Sequence, residues 1–318
     1  MAVAVLSSAL STLAAIAEAQ SIALPGLRAF PESVTSTADG TLFIGRLGDG
    51  GIVRADSRTG EVVVFVAPGE SESRSILGVF ADDAANTLWA CSNDLSALGG
   101  PSSGGDSGSA LKGFDLRTGA AKHSVPLPGA HAFCNDIAVD SSGAVYVTDS
   151  AGPNILRLPA GASEFEVFAS SPQFAPPQAG FGLDGIAFGS DGNVYVTTYT
   201  AGGFFRVEVK GGTAGLVTKL HGTTPLISPD ALRPLGENSF LLVEGSGTLN
   251  RVDIKSDTFA VTPIRAGFRE PTSVTRVGST AWVSEGQLAF FFDPSRKDLL
   301  PSLPFRIYAV PLTGEQTR

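Results

Sequence analysis

The chain has 318 residues, 43% of them hydrophobic, with 38 glycines, 20 prolines and two cysteines; so large an apolar fraction builds a core and excludes intrinsic disorder. Its 22 basic and 31 acidic residues leave a net charge of -9, and the basic residues do not cluster, so no nucleic-acid partner is expected. The acidity suits a cation site or plain solubility, and composition does not separate the two.

Residues 1–19 are small and apolar, with no basic residue before Arg28. Ala17-Glu18-Ala19 has the small-x-small form of a secretory cleavage site. The segment therefore reads as a signal peptide lacking its usual positive start, which implies a secreted or periplasmic protein. The alternative is an N-terminal amphipathic helix packed on the domain of a cytoplasmic one. Ser7, Ser8, Ser11 and Thr12 interrupt the run and Glu18 ends it, so no membrane span is expected.

From residue 28 to residue 312 one pattern recurs about every 48 residues. A short apolar strand opens, a tight turn follows, and a second strand answers. The openings read Pro31-Glu32-Ser33-Val34, Ile76-Leu77-Gly78-Val79, Cys134-Asn135-Asp136-Ile137, Leu183-Asp184-Gly185-Ile186, Pro229-Asp230-Ala231-Leu232 and Pro271-Thr272-Ser273-Val274. The answers lie at 41–44, 87–90, 144–147, 193–196, 239–243 and 281–283. Between them sit hairpin signals such as Ala38-Asp39-Gly40, Ser141-Ser142-Gly143 and Ser190-Asp191-Gly192. Outer strands follow, joined by Asp56-Ser57-Arg58-Thr59-Gly60 in unit one and by its echo Asp115-Leu116-Arg117-Thr118-Gly119 in unit two. Repeats of this length and turn chemistry predict a single all-β domain over 28–312, a six-bladed β-propeller with four-stranded antiparallel blades.

Two insertions interrupt the repeat, a Gly/Ser-rich stretch at 97–110 and a Pro- and Phe-bearing stretch at 170–182. Both emerge on the face from which first strands start, which makes that face the expected mouth. Phe174 and Phe181 on the second insertion are candidates for an apolar rim against a small-molecule substrate, although aromatic loop residues as often anchor a loop to the core. Cys91 ends a strand of blade two and Cys134 starts one of blade three, on the same face, so a bridge between them is geometrically open. Two buried free thiols are the commoner state in a chain of this size.

First strands of a propeller line its channel, so Glu32, Leu77, Asn135, Asp184, Asp230 and Thr272 should converge at the axis. Converging acids repel one another, and a calcium ion, which takes several oxygen ligands in a flexible arrangement, relieves that repulsion. From Glu32, Asn135, Asp184 and Asp230 it is 14 residues in each case to Arg46, Asp149, Thr198 and Glu244 at the second-strand ends. The plainer alternative is that Asp and Asn open strands merely as turn residues.

Phe30-Pro31-Glu32-Ser33, Phe133-Cys134-Asn135-Asp136 and Gly182-Leu183-Asp184-Gly185 resemble the three metal-ligand motifs of the regucalcin/gluconolactonase (senescence marker protein) family, in blades one, three and four. Blade five departs from that pattern: Asp230 supplies an acid, as in the calcium site of paraoxonases and related bacterial lactonases. The resemblance implies lactone or ester hydrolysis and a divalent metal, calcium before any other, held by Glu32, Asn135, Asp184 and Asp230. It also implies a substrate contact from blade two, for which Asn93 is the candidate. Candidates for the general base are Asp184 acting through bound water, Asp149 or Glu244 at the second-strand ends, and His131, four residues before Asn135. Glu285 ends the second strand of blade six, and in this it resembles strictosidine synthase-like propellers, which use a late-blade glutamate catalytically. Natural-product condensation or cyclisation is therefore the alternative activity, and a non-enzymatic scaffold with structural calcium is a third reading. A monomer or small homo-oligomer is expected.

Overall fold

The computed structural model describes residues 20–101, 108–296, 298–314 and 316. Six antiparallel sheets stand around one axis. Their first strands, Pro31–Ser36, Ser75–Asp82, Cys134–Val139, Leu183–Phe188, Pro229–Gly236 and Pro271–Val277, touch one another in a ring. Second, third and fourth strands follow outward in each blade. In blade one they are Thr41–Arg46, Ile52–Asp56 and Val62–Val66.

Two details depart from the plain repeat. The outermost strand of blade six is Ser21–Ala23, which pairs antiparallel with Arg306–Pro311 and closes the ring from the N-terminal side. These three residues lie ahead of position 28, where the sequence repeat begins, and are too short a run to announce a strand. Blade five carries a fifth strand, His221–Gly222, parallel to Thr258–Ala266.

Each sheet packs against a neighbour on both faces, so inner strands are buried almost throughout rather than alternating in and out. Second strands show this best: Thr87–Asn93, Val145–Asp149 and Val194–Thr198 are buried at every residue. The seams are filled by aliphatic and aromatic side chains. Phe43, Ile52, Val66, Ile76, Val79 and Leu88 make the seam between blades one and two, and side chains of this kind stabilise by about 1.5–3 kcal/mol each when fully buried.

Cys91 and Cys134 are joined in a disulfide with a Cα–Cα separation of 5.2 Å. This corrects the expectation of free thiols. Both side chains are fully buried in the same hydrophobic cluster, facing one another across the seam between blades two and three. Much of the Gly/Ser-rich insertion, 102–107, lies outside the described residues, as does the segment 1–19. Among the described residues no helix is long and apolar enough to cross a membrane.

Candidate active site at the channel mouth

In all six blades the register between first and second strand slips near the start of the first strand: between Pro31 and Ser33, Ile76 and Val79, Cys134 and Ile137, Leu183 and Ile186, Pro229 and Leu232, and Pro271 and Ser273. The residues inside the slips include Glu32, Leu77, Asn135, Asp184, Asp230 and Thr272. A bulge takes a residue out of the ladder and re-aims its side chain, so the repeat itself turns these six positions towards the axis.

The backbone freed by the slip is held by a recurring set of bonds. In blades three and four the N–H groups of Asp136 and Gly185 donate to Thr148 Oγ1 and Thr197 Oγ1, at 3.0 Å each. Those hydroxyls in turn donate to the carbonyls of Asp184 and Asp230 in the next blade, at 2.7 and 3.3 Å. Gly78 and Gly185 let adjacent first strands approach, because a Cβ on either would overlap the carbonyl of Asn135 or Asp230 respectively. In five blades the residue two before the axial one accepts a bond from the N–H just past the second strand: Leu47 to Phe30, Ser150 to Phe133, Tyr199 to Gly182, Gly245 to Ser228 and Gly286 to Glu270. Phe30, Ser228 and Glu270 hold left-handed φ values of 41°, 52° and 50°, each immediately before a proline. Non-glycine residues hold that conformation only where their surroundings impose it.

Glu32, Asn135, Asp184 and Asp230 meet at the floor of a cavity of about 250 Å³ and are only 5–7% exposed. Burial raises the Glu32 carboxyl well above the usual carboxylate range, with the charges of Asp184 and Asp136 adding to it. Asp230 is raised well above that range in the same way, by burial and then by Asp184 and Glu32. Asp184 is pushed up to about 8, by burial first and the Asp136 charge second. Its Oδ1 is buried without a hydrogen-bond partner. Asn135 donates from Nδ2 to Ser150 Oγ at 2.8 Å, which orients the amide.

Among the described residues no three His, Cys, Asp or Glu side chains are drawn together tightly enough to hold a metal ion as they stand. By chemistry, however, the four axial groups fit a hard cation. They are oxygen donors, three carry charge that burial penalises, and one oxygen has nothing to bond.

The walls above them are largely apolar: Leu77, Phe133, Phe181, Leu288 and Phe292 line the cavity, together with Tyr199 and Glu270. Phe181 is the hub of this rim, with ring centroids 5.6 Å from Phe133, 5.6 Å from Phe292 and 6.4 Å from Tyr199. Leu288 and Phe292 come from the connection between the second and third strands of blade six, a third insertion that carries the short helix Ala289–Phe292. Glu270 Oε2 accepts the Ala289 N–H at 2.9 Å and so ties this helix to the mouth. Burial, followed by the charges of Asp230 and Asp184, raises the Tyr199 phenol far above its ordinary value, so it remains a proton-bearing donor at ordinary pH.

Several sequence candidates stand elsewhere. Phe174 is fully buried and packs edge-on against Phe205 at 5.3 Å, an anchor rather than part of the rim. Asn93 is buried and holds the backbone of Cys134, donating to its carbonyl at 2.8 Å and accepting its N–H at 3.0 Å. Asp149 accepts the N–H groups of Phe133 and Ala151, and burial raises its pKa. Glu244 accepts from the Ile227 N–H, Thr248 Oγ1 and Asn250 Nδ2. Glu285 accepts the Arg269 N–H. These acids at second-strand ends share one role: each fastens the loop that leads into its own blade's first strand. None lines the cavity, and neither does His131, which is exposed on its loop. Phe133, Tyr199, Glu270, Leu288 and Phe292 are the mouth residues that sequence reasoning did not single out.

No protein-family model matches the sequence, and no curated protein matches it. Solved structures match in fold. A gluconolactonase from Xanthomonas campestris is 16% identical with a TM-score of 0.65, over 96% of this chain and 94% of that one. The virginiamycin B lyase of Staphylococcus aureus is 14% identical with a TM-score of 0.60, over 93% and 99%. The major allergen Mala s 1 of Malassezia sympodialis is 12% identical with a TM-score of 0.67, over 91% and 95%. The gluconolactonase resemblance read from the motifs is thus met by a likeness of the whole propeller, and what these proteins share with the chain at such identities is the fold.

Proposed function

We propose that the protein is a divalent-cation-dependent hydrolase of a small, apolar-bodied lactone or ester. The observation that carries this reading is the convergence of three buried carboxylates and an amide at the floor of an apolar-walled cavity. Glu32, Asn135, Asp184 and Asp230 would hold the cation, with calcium as the first choice. A cation held there would supply polarisation of a carbonyl oxygen and stabilisation of the negative charge developing on it.

The chain's own groups supply the rest. Phe133, Phe181, Leu288 and Phe292 exclude water from the substrate's body and seat it by contact. Among the described residues no Lys, Arg or His lines the cavity, so an anionic substrate finds no partner among those that do. Polar groups concentrate at the floor, which suits one carbonyl head better than a ring of hydroxyls. Glu270 lines the cavity with one oxygen engaged by Ala289, and it joins Asp184 as a candidate base. Water adds to the carbonyl carbon as its proton passes to the base; the acyl C–O bond then breaks, and the departing oxygen takes that proton to give a hydroxy acid, or an acid and an alcohol. Tyr199 can donate a hydrogen bond to the substrate. Asp149 and Glu244 are engaged by backbone donors and are left out of this scheme, as is His131.

The same apolar rim favours a second reading, in which the mouth holds a reactive intermediate for condensation or cyclisation. A panel of alkyl and aryl lactones and esters, beside polyhydroxylated and anionic ones, separates the two. Hydrolysis of the apolar members, abolished by chelator and restored by calcium, is the expected result. Bound calcium with no turnover anywhere in the panel would overturn the hydrolase reading in favour of the second.

A further inference from the structure

Beneath the four axial oxygens the channel is filled. Asp136, beside Asn135 in blade three, and Arg233 in blade five form a two-pronged ion pair across it, Nη1 to Oδ2 at 2.7 Å and Nη2 to Oδ1 at 2.8 Å. Arg233 Nη1 also donates to the Leu232 carbonyl at 2.8 Å, and Asp136 Oδ2 accepts the Ile186 N–H at 3.1 Å. Both side chains are under 10% exposed. The remaining space around Glu32, Ser33, Asp136, Asp184, Asp230 and Ser273 has no room for a water molecule. The guanidinium attracts Glu32, Asp184 and Asp230 as well as Asp136. When all four carboxylates are ionised, as a bound cation would require, one guanidinium leaves this part of the channel three negative charges in excess, and its loss would leave four.

We infer that Arg233 is a built-in counter-cation: it occupies the second layer of the channel, restricts the site to one divalent ion and sets how tightly that ion is held. The inference rests on the cation reading above. A pair serving only to brace blades three and five would be equally well buried, but its charges would not bear on ion binding. The opposite signs of its two members therefore provide the test. Arg233→Met removes a positive charge that competes with the ion and frees Asp136 as an oxygen donor, whereas Asp136→Asn removes a negative charge from a residue outside the ligand set.

Calcium is titrated calorimetrically into chelator-treated full-length protein. Wild type should bind one ion. Arg233→Met should bind a second, or bind the first about tenfold more tightly or better, and Asp136→Asn should bind one about tenfold more weakly. If Arg233→Met folds only when calcium is supplied, the ion is replacing the guanidinium and the inference stands. If it does not fold at all, Asp136→Asn decides, together with Asp136→Asn/Arg233→Met, which restores the wild-type charge balance and should titrate as wild type does. Wild-type stoichiometry and affinity in the folded single variants overturn this inference alone. A wild-type protein that binds no divalent ion overturns the cation reading beneath it.

Discussion

Asp184→Asn should stabilise the metal-free protein and destabilise the calcium-loaded one. In the folded chain burial and the Asp136 charge push the Asp184 carboxyl up to about 8, whereas an unfolded aspartate ionises near 3.9. A folded-state pKa raised in this way confers its stability below the unfolded value and forfeits it as the pH climbs through the folded one. At pH 7 the group has crossed about three units of that window at about 1.4 kcal/mol each, so wild type without metal has lost roughly 4 kcal/mol relative to pH 4. Asparagine does not titrate and escapes that loss. With about 2.1 cal/mol/K of unfolding entropy per residue, the gain amounts to about 6 °C in melting temperature. Scanning calorimetry in chelator should show the variant above wild type at pH 7, with the difference vanishing near pH 4. In calcium the order should reverse, because the variant lacks a charged ligand. A variant that melts below wild type in chelator at pH 7 would refute the argument, since the carboxylate would then be well solvated or well paired as it stands.

Three further outcomes follow from the same geometry. Glu244→Ala removes the acceptor of the Ile227 N–H, Thr248 Oγ1 and Asn250 Nδ2 and should cost about 2 kcal/mol in urea unfolding, with turnover per folded molecule within about threefold of wild type, because Glu244 fastens a loop and is not among the residues that line the cavity. Cys91→Ala removes a cross-link spanning 43 residues and should cost about 4 kcal/mol in the same assay on the loop-entropy estimate. Phe181→Ala removes the hub of the rim and should raise KM for an apolar lactone by about tenfold with kcat little changed, whereas a polyhydroxylated lactone should not feel the loss.

The architecture was legible because the repeat is local. Hairpin turns such as Ser190-Asp191-Gly192 and inner strands recur in register, and counting them gives six blades and the positions that face the axis. Glu32, Asn135, Asp184 and Asp230 line one cavity for this reason. The register slip that aims them leaves only a faint trace, the glycine following the axial residue in blades two and four. The residues around the axis were harder to read. Asp149 and Glu244 carry the right chemistry at a recurring spacing, yet sequence does not reveal that backbone N–H groups already engage them. Phe174 and Phe181 sit seven residues apart on one loop, and only the chain's path buries the first and leaves the second at the mouth. The helix Ala289–Phe292 is a single turn, too short to show a helical period, although the Phe290-Phe291-Phe292 run in a break of the repeat was a signal that an insertion packs there. Arg233 lies three residues after Asp230 on the same strand, where an isolated basic residue reads as surface until Asp136 is found opposite.

The central claim is that the axial carboxylates hold a cation, which displaces the proton that Asp184, pushed up to about 8, keeps at pH 7 without one. Calcium titration of the chelator-treated protein at pH 7, repeated in two buffers of different ionisation enthalpy, measures binding and proton release together. The account predicts one ion bound per chain with about one proton or more released; no binding, or binding that releases no proton, would contradict it.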